Sequence, residues 1–129
     1  MLKDHGPVAT IAVRDLDAAA RFYEGSLGLA RLEANSETIT YSAGRTTLLV
    51  YRSQFAGTNQ STAATWPVGK EIDDVVKALG AKGVKFEHYD LPQLHREGDI
   101  HVAGEMRVAW FKDPDGNIHS LIGAEERNK

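Results

Sequence analysis

The sequence predicts an α+β fold: a single domain, 1–129, built from two β-α-β-β-β modules at about residues 7–55 and 61–123. Three observations carry this. First, Ala9-Thr10-Ile11-Ala12-Val13 returns as Ala64-Thr65-Trp66-Pro67-Val68. Ala, Thr and Val match at one constant offset, which Gly28 and Gly83 also keep. Second, each strand-like run leads into apolar residues at helical spacing that end at the glycine. Third, three further strand-like runs follow each glycine.

In the first module Asp15 is placed to cap a helix whose stripe is Leu16, Ala20, Tyr23 and Leu27, and Gly28 suits the left-handed position that closes it. Strands are expected at about 30–35, 37–42 and 46–51. In the second module Ile72, Val75, Val76 and Leu79 form the equivalent stripe before Gly83. Pro67 has no N–H to give a ladder, so its strand is expected at an edge or beside a bulge. Strands follow at about 84–89, 106–112 and 117–122, the last two joined by the turn Asp113-Pro114-Asp115-Gly116-Asn117. Residues 90–105 read as one long loop, with Gly98 and Gly104 as hinges of a mobile cover. The tail, 125–129, reads as solvated.

Composition narrows the function classes. With 42% hydrophobic and 26% charged residues the chain is an ordinary globular mixture, long enough at 129 residues to bury a core without staples. It has no cysteine, which excludes disulfides, thiolate metal sites and cysteine nucleophiles. The net charge of −3, with no basic run among aromatics, argues against nucleic acid as a partner. No apolar stretch reaches the length of a membrane span, and no secretory leader is evident, so a cytoplasmic location is expected.

The run Val13-Arg14-Asp15-Leu16-Asp17, followed by Phe22-Tyr23 and Leu27-Gly28-Leu29, and the later Phe111-Lys112-Asp113-Pro114-Asp115-Gly116-Asn117 carry a family resemblance. Over about residues 7–123 the chain resembles the vicinal oxygen chelate superfamily, the glyoxalase/bleomycin resistance/dioxygenase group. The resemblance implies modules paired, within a chain or across a homodimer, into a curved mixed sheet around a central cavity. It also implies a metal held by His, Glu or Gln from the first and last strands of each module. Carried over by position, those ligands fall on Val8, Ala63, Ser120 and Leu49 or Tyr51. Val, Ala and Leu offer no lone pair and Ser is a weak ligand, so no metal cofactor is expected.

Other chemistry is sparse. His5, His88 and His95 read as solvated or rim residues. His101 and Glu105 stand four apart, a helical ligand spacing that Val102 and Gly104 disfavour. His119 alternates with Ser120 and is expected to face the helices as a hydrogen-bonded structural residue. Asp15 and Asp17 suit a helix start, and Asp113 and Asp115 a turn. Phosphate-loop, dinucleotide and nucleophile-elbow motifs are absent.

What remains is a pocket. With the ligand positions set inward, as the resemblance implies, Thr10, Leu49, Tyr51, Thr65 and Ser120 are expected on the cavity face, and Trp110 joins them if its strand faces the same way. The reading is a metal-free protein that binds a small, largely apolar or aromatic molecule, by sequestration or as a carrier. The alternative is a glyoxalase-like lyase, isomerase or dioxygenase, either metal-free, with Tyr51, His101 or His119 as acid-base group, or using a divergent metal site.

Overall fold

The computed structural model describes residues 1–124; the tail, 125–129, lies outside the described residues. Module one comprises β1 (Ala9–Val13), α1 (Leu16–Ala20), β2 (Ala30–Ala34), β3 (Thr38–Ala43) and β4 (Thr46–Arg52). Module two comprises β5 (Thr62–Gly69), α2 (Ile72–Ala81), β6 (Phe86–Glu87), β7 (His95–Glu97), β8 (Ile100–Ala103), β9 (Met106–Lys112) and β10 (Ile118–Ala124).

The strands form two mixed sheets, ordered β1-β4-β3-β2 and β5-β10-β9-β8-β7, with β6 paired to β9. In each module the first strand runs parallel to the last, so the repeat in sequence is a repeat in topology.

Local chemistry explains the helix ends. The Asp15 carboxylate accepts from the backbone N–H of Asp17 at 2.8 Å and of Ala18 at 3.3 Å. After α1 the chain widens into a π-helical segment, Arg21–Ser26, marked by the bond from Leu27 N–H to Phe22 O at 2.9 Å. Gly28 then reverses direction at φ +74°. Pro67 lies on an edge strand, and the ladder slips beside its partner, between Ile122 and Gly123.

The long loop at 90–105 needs correcting. β7 and β8 form a hairpin across it, closed at Gly98 (φ +65°) and Asp99, with His95 opposite Val102 and Glu97 opposite Ile100. Ile100 and Val102 are buried, and β8 also pairs with β9. The tight Gly-Asp turn and the two buried β8 side chains thus make residues 95–103 part of the sheet. Pairing along β9 is divided, with Phe111 and Trp110 facing β6 and residues 106–108 facing β8. This leaves β6 shorter than the predicted 84–89. Only the stretch between β6 and β7 stays outside the ladders.

Two hydrophobic clusters form the core, one on each sheet, and Phe22, Leu27 and Trp66 pack against both. Tyr23 stacks on Tyr41 of one sheet at 6.0 Å and lies 5.7 Å from His119 of the other. The core faces of the two sheets therefore meet across α1 and its π-helical extension. By alternation, Thr10, Leu49 and Tyr51 occupy the opposite face of one sheet, and Thr65, Trp110 and Ser120 that of the other.

Candidate functional site

The ladder register settles the facing of Trp110. It pairs with Ser120, and Ser120 pairs with Thr65, so all three stand on one face of the module-two sheet. The Thr65 and Ser120 hydroxyls are 2.8 Å apart. Ile122 and Val108, paired to each other, extend the same face. Leu91 and Leu94 line, with Thr65, Trp110, Ser120 and Val108, an open cavity of about 420 Å³. A second cavity of about 460 Å³ shares Thr62, Leu91 and Trp110 with it and is bounded by Tyr89 and Ile118. Together they make an apolar trough, and none of the side chains lining the 420 Å³ part ionises at neutral pH. The hydroxyls of Thr62, Thr65 and Ser120 and the Trp110 indole are the polar side-chain groups of that part.

Thr10, Leu49 and Tyr51 are brought together on the other sheet, where β1 residue Thr10 pairs with Leu49. Tyr51 and the nearby Val8 are exposed. The six predicted pocket residues thus fall into two groups of three on two separate faces. A different, charged groove of about 480 Å³ lies between Arg14, Arg31, Arg52, Asp15 and Asp17. Its arginines are partly neutralised: Arg31 pairs with Glu24 at 2.6 Å and Arg52 with Glu37 at 3.4 Å.

His119 is buried on the core side, as alternation with Ser120 predicts. The Trp66 indole N–H donates to its Nδ1 at 3.0 Å, so neutral His119 carries its hydrogen on Nε2. That N–H donates to the Tyr23 hydroxyl at 2.9 Å, and the hydroxyl donates to the Asp113 carboxylate at 2.7 Å. The ring also stacks on Phe111, with centroids 4.9 Å apart. Burial pushes the imidazole down to about 4, against a smaller opposing pull from Asp113. Burial and the neighbouring Asp113 hold the Tyr23 phenol far above its ordinary range. His119 is therefore neutral at pH 7, and its chain of bonds ties module one to module two.

The Asp113–Asn117 turn is the anchor of that chain. The Asp113 carboxylate also accepts from the backbone N–H groups of Asp115 and Asn117, both at 2.9 Å. The Asn117 amide donates to Ala12 O at 2.7 Å, and Arg14 N–H donates to Asp115 at 3.3 Å. These carboxylates are spent on architecture.

In the sequence, His101 stands out only beside Glu105 or as an acid-base candidate. The structure puts it opposite Val108, hence on the Trp110 face, buried with its ring 4.8 Å from the indole. The tight Gly98-Asp99 turn before Ile100 was the signal that a paired strand begins there.

The metal positions implied by family resemblance do not fit a transition metal. Val8 precedes β1, Leu49 and Ala63 supply hydrocarbon, the alternative Tyr51 offers one exposed phenol, and the Ser120 hydroxyl is hydrogen-bonded to Thr65. Among the described residues no three His, Asp or Glu side chains are grouped to hold a metal. No described helix is long and apolar enough to cross a membrane.

Solved structures share this architecture at low sequence identity. Fosfomycin resistance protein FosX from Listeria monocytogenes, complexed with Mn(II) and sulfate, superposes with a TM-score of 0.71 at 17% identity, covering 96% of this chain and 92% of that one. A bleomycin-binding protein complexed with bleomycin gives 0.70 at 18% identity, covering 93% and 98%. Lactoylglutathione lyase from Agrobacterium tumefaciens gives 0.67 at 19%, covering 92% and 93%. Such identities establish a shared fold, and that fold hosts binding proteins and enzymes alike. No curated protein matches significantly. The family model of the Glyoxalase/Bleomycin resistance protein/Dioxygenase superfamily matches residues 7–119, and the chain belongs to that superfamily.

Proposed function

We propose that this chain is a metal-free binding protein for a small, neutral, planar and largely apolar molecule, acting by sequestration or as a carrier. The observation that carries the reading is the trough over Thr65, Trp110 and Ser120, whose 420 Å³ part has no ionisable lining. Its size suits a small organic ligand, and its few hydroxyls suit orientation by one or two hydrogen bonds. FosX binds Mn(II), whereas the ligand positions that the family resemblance implies here, Val8, Ala63, Ser120 and Leu49 or Tyr51, offer hydrocarbon, a hydroxyl engaged with Thr65 and at most one phenol. The enzymatic reading, a lyase, isomerase or dioxygenase, is favoured by one observation only: His101 stands beside Trp110 at the trough.

The working unit is a homodimer. Core faces meet inside each chain, so both ligand-type faces point outward and carry exposed apolar side chains: Tyr51 on one, Leu91, Met106 and Ile122 on the other. A two-fold arrangement sets Thr10, Leu49 and Tyr51 of one copy across from Thr65, Trp110 and Ser120 of its partner, closing two cavities at once. Light scattering is expected to give about 28 kDa, twice the chain mass of 14.1 kDa. A mass of one chain at micromolar concentration removes this arrangement.

The binding test titrates the protein with 2-naphthol by calorimetry. Trp110→Ala should weaken binding at least three- to tenfold, since an aromatic contact contributes about 0.5–1.5 kcal/mol beyond area burial. Unchanged affinity would put the ligand elsewhere. Conversion of the compound without added metal would replace the binding reading with the enzymatic one.

A further inference from the structure

Beneath the trough lies one polar atom that its lining conceals. His101 Nε2 accepts the Tyr89 backbone N–H at 2.9 Å, so the neutral ring carries its hydrogen on Nδ1. Nδ1 is buried against the Val108 backbone without a well-formed hydrogen bond. Burial, the main cause, with His88 and Arg96 nearby, lowers the proton affinity of the imidazole. Nε2 therefore keeps its lone pair at neutral pH. Tyr89 and Trp110 cover the ring, with centroids 6.1 and 4.8 Å away.

Tyr89 opens the segment 89–94, which lies outside every ladder and whose Leu91 and Leu94 roof the trough. Within it the backbone bond is a local turn, Leu94 N–H to Leu91 O at 3.1 Å. The bond from Tyr89 to His101 ties this roof to the sheet, and the exposed His88–Asp99 contact at 2.7 Å marks its hinge end.

We infer that His101 is the specificity-determining acceptor of the trough: residues 89–94 form a cap latched by the Tyr89 amide, and a ligand bearing one O–H or N–H donor takes the place of that amide. The reason is physical. Lifting the cap strips Nε2 of its donor, and a buried acceptor left unpaired is costly. A planar apolar ligand with a phenol-type hydroxyl or an aryl N–H restores the bond; one without a donor does not. The ligand class is thereby narrowed from planar and apolar to planar, apolar and singly donating. This inference rests on the trough being the binding face.

The experiment compares 2-naphthol with 2-methoxynaphthalene, which keeps the ring and lacks the donor, at pH 7.5. Tyr89 amide exchange is read by NMR in parallel. Wild type should prefer 2-naphthol about tenfold, and its Tyr89 amide should lose protection as 2-naphthol saturates. In His101→Phe the preference should fall below about twofold while 2-methoxynaphthalene binds nearly as before. His101→Gln, which keeps an acceptor, should recover part of the preference and guards against a folding artefact. Equal binding of both compounds by wild type, an unchanged preference in His101→Phe, or a Tyr89 amide still protected at saturation overturns the inference while leaving the trough as a site. Binding of neither compound overturns the proposed function and this inference with it.

Discussion

Replacing His119 with Ala should lower the unfolding free energy by about 3–5 kcal/mol, read from denaturant midpoints at unchanged slope. The imidazole is wholly buried, stacks on Phe111 and joins Trp66 to Tyr23. Its removal leaves a cavity, an indole N–H without an acceptor and a phenol without one of its partners. Tyr23→Phe, which breaks the bonds to His119 and Asp113 while keeping the ring, should cost about 1–3 kcal/mol. The same residue predicts a pH dependence. The fold holds His119 at about 4, below its ordinary 6.5, so the unfolded chain takes up the proton more readily. Its stabilisation is therefore complete above pH 6.5 and is lost as pH falls towards 4, about 3 kcal/mol in all. His119→Phe should flatten the stability profile in that window. A profile with the wild-type slope would show that the imidazole is not held neutral by the fold.

Gly57→Ala is expected to cost about 3 kcal/mol or more, although it adds a single methyl group. Gly57 sits in the linker between modules at φ +74°, where an L side chain is strained. A Cβ there would overlap the carbonyl oxygen of Asp115, in the turn whose neighbours bind Tyr23 and Ala12. Backbone cannot yield as a flexible side chain can, so either the linker or the turn must move. Gly25→Ala, in the π-helical segment with no atom within reach of a Cβ, is the control and should change stability by less than about 1 kcal/mol. Equal, small losses for both variants would mean that the linker does not dock on the turn.

The elements that were legible in the sequence are those set by local chemistry. Asp15, Gly28 and the apolar spacings marked the first helix because capping and periodicity act within a few residues. Pro67 announced its edge position because a missing N–H cannot be hidden in a central strand. The π-helical widening at 21–26 has no comparable local mark; its Phe22 packs against both core clusters and its Tyr23 is buried in the first. The β7–β8 hairpin is not legible in the sequence because His95, Arg96 and Glu97 show no apolar alternation. Only half of the candidate site could be assembled from alternation. Period two carries Thr65 with Ala63, and the family resemblance sets Ala63 and Ser120 inward together, while the facing of Trp110 depends on its register against β10. That Thr10, Leu49 and Tyr51 lie on a separate face depends on how the modules pack, a long-range fact carried by Tyr23, His119 and Asp113.

Chelator-treated protein titrated calorimetrically with 2-naphthol should show saturable binding of about one molecule per chain at the trough, with a negative heat-capacity change from apolar burial and no gain when Zn, Ni, Fe or Mn is added back. Absence of saturable binding, or binding that appears only with the added metal, would contradict metal-free binding there.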